Sequence, residues 1–243
     1  MNNLFEPVKM DPAYRRVAAS IESKIMARDL NDGDSLPAET DLARQFQVNR
    51  STVREALREL QSKGLVARRE GGKRLFVSHP QAADVASGVS RALALHGVTF
   101  LEVWEAMMVI EPQAAALAAR KREATQLEEL IDLNNRFEAV GADHDQAVAT
   151  VVQFFRALAR CSQNRVLVLA QAPLTRLLSP TLARMIDQVP QARARIVAAQ
   201  RHLIEAIRAR NADEARSWME KHIRDFKRGY ELAGIDLDYR VAI

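Results

Sequence analysis

Cysteine is almost absent from this 243-residue chain: Cys161 is the only one. A single thiol excludes an intrachain disulfide framework and a cysteine metal cluster, and it fits a reducing cytoplasm. Cys161 reads as a small packed side chain. Aromatic residues are scarce as well, at 5% against 48% apolar residues in total, which points to Ala/Leu-rich helical packing. Charge of one sign is not in large excess. The formal net charge is +4, with 14 Lys and Arg against 11 Asp and Glu in residues 1–80 and 21 against 20 in the remainder. The basic excess sits in the N-terminal third, yet it is too small to establish nucleic-acid binding by itself. No uncharged apolar run approaches the ~20 residues that span a bilayer, and the N-terminal stretch lacks a signal-peptide apolar region. The expectation is a cytoplasmic protein with no membrane partner. Phosphate loops, nucleophile elbows and an ordered nucleophile–base–orienter set are also missing. No catalytic residue is therefore assigned.

What is present is most informative between Leu36 and Leu60. Val53, Ala56, Leu57 and Leu60 recur at helical spacing and form one apolar face. Arg50 and Arg54, four residues apart, share the opposite face, with Asn49, Ser51 and Thr52 at its leading end. A helix that begins with arginines, hydroxyls and free backbone N–H groups suits entry into a DNA major groove. Gly64 reads as a left-handed cap. Leu65–Arg69 and Arg74–Ser78 read as two short strands joined by the glycine turn Glu70-Gly71-Gly72-Lys73. Helix, turn, helix and basic hairpin make a winged helix-turn-helix. Arg68, Arg69, Lys73 and Arg74 would then lie beside phosphates or a minor groove.

The flanking segments complete the organisation. Asp11-Pro12 predicts a helix start with Asp11 as N-cap, and Tyr14, Val17, Ala18, Ile21 and Ile25 form its apolar stripe. After residue 90 the pattern is helix after helix. Thr99 caps a segment to about Arg122, in which Pro112 predicts a kink or break. Further helices cover about Ala124–Val140 and about Asp143–Cys161. Asn164 starts a short one, and Pro173 and Pro180 punctuate the stretch after it. Pro190 opens a long helix to about Arg210, and the Asn211–Asp213 turn starts the last. The expected fold is mainly α: a winged helix-turn-helix over 1–79, a linker over 80–90, an antiparallel all-helical bundle over 91–235, and a frayed tail over 236–243.

These residues carry a family resemblance. Leu36-Pro-Ala-Glu39, Leu42-Ala43, Val48, Arg50, Val53-Arg54, Ala56-Leu57, Leu60 and Gly64-Leu65 resemble the DNA-binding signature of the GntR superfamily. The C-terminal part resembles its FadR-type (FCD) helical domain through three groups. These are Glu111-Pro112 with Ala114, Ala115 and Leu117–Ala119; Phe154, Ala157, Leu158, Ser162 and Asn164; and His202, Ala206, Ile207, Asp213, Ala215, Met219 and His222. The resemblance implies a transcription regulator, commonly a repressor, that binds a palindromic operator in double-stranded DNA as a homodimer. A small-molecule effector in the bundle would control it. By the same resemblance Arg50 and Arg54 are the candidates for base contacts. Thr40, Arg44, Asn49, Ser51, Thr52, Gly71, Gly72, Lys73 and Arg74 complete the DNA-binding set. Thr40 stands where some relatives carry a DNA-contacting Arg.

The effector pocket implied by the resemblance comprises Met107, Val151, Phe155, His202 and His222. Many relatives bind a divalent metal there through an Asp, a His four residues later and two further His. Here the first two positions are Val151 and Phe155, which cannot ligate, and Met107 replaces a carboxylate-gripping Arg. Two imidazoles make an incomplete zinc site. The expectation is no metal and no other cofactor, and an effector more apolar than a metal-bound carboxylate, with core filling by Met107, Val151 and Phe155 as the other reading. The alternative function is an enzyme or metal-binding protein of the helical domain with a DNA-tethering module.

Overall fold

Two separate hydrophobic cores organise the computed structural model, which describes residues 11–69, 71–72, 74–141 and 143–242. The chain divides into two units after Asp84.

The first unit contains α1 (Ala13–Met26), α2 (Glu39–Phe46), α3 (Arg50–Ser62) and an antiparallel hairpin of β1 (Val66–Arg68) and β2 (Leu75–Val77). The strands register Val66 with Val77, Ala67 with Phe76 and Arg68 with Leu75. Ser35 adds a bridge to Phe76 on the other edge of β2. The α1 stripe of Val17, Ala18, Ile21 and Ile25 meets Val53, Ala56, Leu57 and Leu60 of α3, and Leu65, Val66, Leu75 and Val77 close the core. Gly64 ends α3 with φ +71°. Its N–H donates to the Gln61 carbonyl (3.0 Å), and that of Leu65 to the Leu60 carbonyl (3.0 Å), so the left-handed cap satisfies two end carbonyls. The start of α1 departs from expectation. Pro12, not Asp11, occupies the N-cap position, and no side chain caps the helix; the extended ψ of 138° at Pro12 places the helical turn one residue later.

The second unit is helical. The helix α4 (Ala82–Leu95) bridges the division between the units. Ala86 and Ser90 are already buried, and the Ser90 hydroxyl donates to the Pro173 carbonyl (3.2 Å). Residues 82–90 of the expected linker are therefore helical, and the bundle begins before residue 91. It continues with α5 (Phe100–Lys121), α6 (Ala124–Ala139), α7 (His144–Cys161), α8 (Arg165–Gln188), α9 (Ala192–Arg208) and α10 (Ala212–Leu232). The starts are set by side chains. Thr99 and Glu102 form a reciprocal capping box on α5, and Asp143, Asn164 and Asn211 cap α7, α8 and α10. Cys161 is fully buried, and burial pushes its thiol up to about 11.

Three expectations fail for a common reason: tertiary packing overrides a local signal. Pro112 lies inside an uninterrupted α5, and Pro173 and Pro180 lie inside a 24-residue α8. Pro112 and Pro173 are buried, and packing of the bundle keeps the helix running on either side of each lost hydrogen bond. The tail is docked. Val241 is buried, its N–H donates to the Val98 carbonyl (2.9 Å), and Phe100 N–H donates to the Tyr239 carbonyl (2.9 Å). Among the described residues α8 is the one helix with the length and hydropathy of a bilayer span, and here it buries ten side chains in the bundle.

Candidate DNA interface and effector pocket

The leading end of α3 is chemically open. Asn49 occupies the N-cap with extended backbone, but its side chain makes no capping hydrogen bond. The first helical bond runs from Val53 N–H to the Asn49 carbonyl (3.2 Å), so the amides of Arg50, Ser51 and Thr52 have no acceptor within the helix. Together with the helix dipole they favour an anion there. Asn49, Arg50 and Ser51 are exposed and Thr52 is half-buried. The turn before α3 is tight because Gln47 adopts a left-handed φ of +53°, and Val48 N–H returns to the Ala43 carbonyl (3.0 Å).

Arg54 is held in place. Its Nη2 lies 3.0 Å from Glu39 Oε2, and its Nε lies 3.3 Å from the same oxygen. The Glu39 carboxyl is held below its usual range first by this hydrogen bond and also by the charges of Arg54, Arg50 and Arg68. The first residue of α2 thus orients a guanidinium on α3 that remains half exposed. Glu39 is visible in the sequence motif, but its role as an orienting group is not. Thr40 is exposed one residue away, and Arg44 pairs at 3.5 Å with Asp41 on its own helix.

In the wing, Arg68 and Arg74 are exposed, while Arg69 lies over the Phe76 ring at 4.0 Å. Gly71 has φ +72°, and a side chain at Gly72 would meet the Arg69 carbonyl oxygen at 3.2 Å. The turn therefore favours glycine at 71 for its left-handed φ and leaves little room for a side chain at 72. Lys73 and Glu70 lie outside the described residues.

In the bundle, Met107 (α5), Val151 and Phe155 (α7) come together as expected. They line an apolar cleft with Phe100, Trp104, Leu178, Phe226 and Tyr230. Its volume is about 20 Å³, room for about one water, so side chains nearly fill it. Phe100 stacks on Tyr230 at 4.2 Å. The Tyr230 hydroxyl donates to the Leu178 carbonyl (3.2 Å) and accepts from Thr181 (3.0 Å). Trp104 Nε1 donates to the Ile223 carbonyl (2.9 Å).

His222 stands behind this cleft. Its ring is parallel to Phe155 at 5.7 Å and tilted against Phe226 at 4.9 Å. It is buried, its Nε2 has no hydrogen-bond partner, and burial lowers it to about 4. It is therefore a neutral imidazole at pH 7. His202 does not join it. It is exposed, stacks on Trp218 at 3.9 Å, and faces a different cleft, between α6 and α9. The buried polar side chain on this stretch of α9 is Gln200, two residues earlier, whose amide oxygen and nitrogen both lack partners. The helical phase of Ile196, Leu203 and Ile207 carries that signal, since a two-residue step rotates a side chain by about 200°.

Glu111 is another buried polar group whose burial sequence reasoning misses. It is fully buried in α5, and burial pushes its carboxyl up to about 8. Gln171 lies close enough to offset part of that shift, but neither Glu111 oxygen completes a well-formed hydrogen bond with it. These residues do not fit a metal. Val151 and Phe155 offer no donor atom, and no group of three or more His, Cys, Asp or Glu converges among the described residues.

Comparison with known proteins decides the family. Residues 13–77 match the family described as bacterial regulatory proteins, gntR family, and residues 102–225 match the FCD domain. The chain is 31% identical over 228 residues to the HTH-type transcriptional repressor NanR of Cronobacter sakazakii, covering 89% of this chain and 85% of that protein. The chain belongs to the GntR family, in its FCD-containing branch. A second relative is the HTH-type transcriptional regulator LutR of Bacillus subtilis, 32% identical over 139 residues, covering 57% of this chain and 63% of that protein. The solved structure of Streptococcus agalactiae GntR aligns with a TM-score of 0.62 at 25% identity, covering 88% of this chain and 99% of that one. As a GntR regulator the protein is a DNA-binding transcription factor whose first unit is the helix-turn-helix and whose second is the FCD domain.

Proposed function

We propose that this GntR regulator is a cytoplasmic repressor. It binds a palindromic operator as a homodimer and changes operator affinity when an apolar small molecule enters the aromatic cleft of the FCD domain. The open α3 N-terminus, with Arg54 oriented by Glu39 and Arg50 exposed beside it, supports base reading by this pair. Asn49, Ser51, Thr52 and the Gly71-Gly72 turn then meet the backbone. The repressor sense is that of the relative named NanR.

The observation that carries the effector reading is the lining of the cleft. Phe100, Trp104, Met107, Phe155, Phe226 and Tyr230 present rings and a thioether, with neutral His222 behind them, stacked on Phe155 and without a hydrogen-bond partner at Nε2. Such a lining favours a hydrophobic acid or acyl compound over a small hydrophilic carboxylate. The cleft is nearly closed, so a ligand must part its walls. One wall is α8, whose Thr175, Leu178 and Leu182 line the cleft and whose Pro173 carbonyl receives the Ser90 hydroxyl of α4. Displacement of α8 is thereby felt at α4 within the bundle, a population shift between two arrangements.

The test begins with selection of an operator from random duplexes. Its affinity is then titrated with medium-chain fatty acids and acyl thioesters. A saturable change in affinity, abolished by Phe155→Ala, is the expected result. Saturable binding with unchanged operator affinity would overturn the coupling. Zinc incubation and subsequent desalting should leave well under one equivalent of metal per chain; a full equivalent would restore the metal-and-carboxylate reading.

A further inference from the structure

Besides the aromatic cleft, the bundle carries an outward-facing cleft between α6 and α9, about 530 Å³ in volume, within the range of small-molecule sites. Asn134 lines it and is 2% exposed, and its Oδ1 has no hydrogen-bond partner. A buried acceptor without a partner is costly to the fold, and a donor on a bound molecule would satisfy it. Around it stand Asn135, Arg201, His202, Glu205 and Arg208. Arg201 pairs with Glu138 and Arg208 with Glu205, so the two cations are matched by two carboxylates and leave no net charge to attract an ion. These pairs offer donors and acceptors side by side. His202, pressed flat on Trp218, and Ile131 and Ile204 supply apolar surface for C–H faces.

We propose that this cleft is a second ligand site, distinct from the aromatic cleft, and that it takes a small uncharged polyhydroxylated molecule. Hydroxyl groups donate and accept at once. Once the Asn134 amide turns outward, one hydroxyl donates to its Oδ1, and its neighbours bridge the Arg201 and Arg208 guanidinium groups and the Glu205 carboxylate. An ion of either sign would meet a like charge in this lining: an anion would oppose Glu205, and a cation would oppose Arg201 and Arg208. The ring nitrogens of His202 would add hydrogen-bonding capacity at the rim.

Ligand-observed saturation-transfer NMR on the full chain tests this with myo-inositol, D-glucose, D-galactose and N-acetyl-D-glucosamine, and with D-glucuronate as the charged control. At least one neutral compound should bind saturably in the millimolar range or tighter. Asn134→Leu and Arg208→Met should each weaken it tenfold or more, while Phe155→Ala in the aromatic cleft should leave it unchanged. No saturable transfer to any of the four, binding of D-glucuronate alone, or undiminished binding in Asn134→Leu would each overturn the proposal. Should Asn134→Leu fail to fold, Arg208→Met decides by the same titration.

Discussion

The two units of this regulator distribute polarity in opposite ways. Among the described residues, the core of the winged unit is wholly apolar, and its chemistry lies outside, on α3, on the Glu39–Arg54 pair and on the wing. In the bundle the unusual chemistry lies inside. Glu111, Asn134, Gln171, Gln200 and His222 are buried and carry polar atoms without partners. Each such group costs on the order of 1–3 kcal/mol. The difference separates a rigid platform from a chamber. A surface that meets DNA needs fixed side chains on a settled core, whereas the buried polar atoms of the bundle leave hydrogen-bonding capacity that a bound molecule would satisfy.

The comparison breaks most visibly with pH. The Glu111 carboxyl rises from 4.5 to about 8 in the fold. The native state therefore holds a proton that the unfolded state loses above about 4.5, and stability declines as pH rises towards 8. His222 falls from 6.5 to about 4. The unfolded state binds a proton that the native state refuses, and stability declines as pH drops from 6.5 towards 4. Between about 4.5 and 6.5 the two slopes oppose and nearly cancel. From 6.5 to 8 Glu111 acts alone, so bundle stability in urea should fall there by on the order of 2 kcal/mol. Glu111→Gln should flatten that limb. A variant with the wild-type slope would mean that the carboxylate finds a partner.

In the winged unit the opposite holds, because every buried group is already well placed. Leu60→Ala, at a fully buried position facing α1, should cost about 2–5 kcal/mol and abolish operator binding. In the bundle Gln200→Met should raise the urea midpoint, by on the order of 1 kcal/mol, because it removes two unpaired polar atoms while keeping volume. A lowered midpoint would show that Gln200 is used structurally and would weaken the contrast. The smallest expected effect is that of Ser90→Ala, about 1 kcal/mol or less in stability, with the effector response reduced while effector binding and operator binding persist separately.

The contrast also explains how much is readable in the sequence. The winged unit is local. The α3 face, the Gly64 cap and the hairpin follow from spacings within thirty residues, and the structure reproduces them. The bundle is non-local. Pro112, Pro173 and Pro180 signal breaks in their own segments, yet neighbouring helices keep α5 and α8 continuous. Val241 docks against Val98, a partner 143 residues away, which no local pattern announces. The placement of His202 fails for a different reason: motif likeness points to it where helical phase favours Gln200. The role of Glu39 needs three dimensions, since it reaches Arg54 across the turn.

The measurement that tests the account most directly is the affinity of Arg54→Ala and Glu39→Gln for the selected operator and for a scrambled duplex of equal length. The account predicts that Arg54→Ala loses tenfold or more for the operator. Glu39→Gln should lose less, because it loosens the guanidinium without removing it, and the scrambled duplex should change little for either variant. Equal operator affinity in Arg54→Ala and the wild type, with the fold intact, would contradict the assignment of α3 as the reading helix.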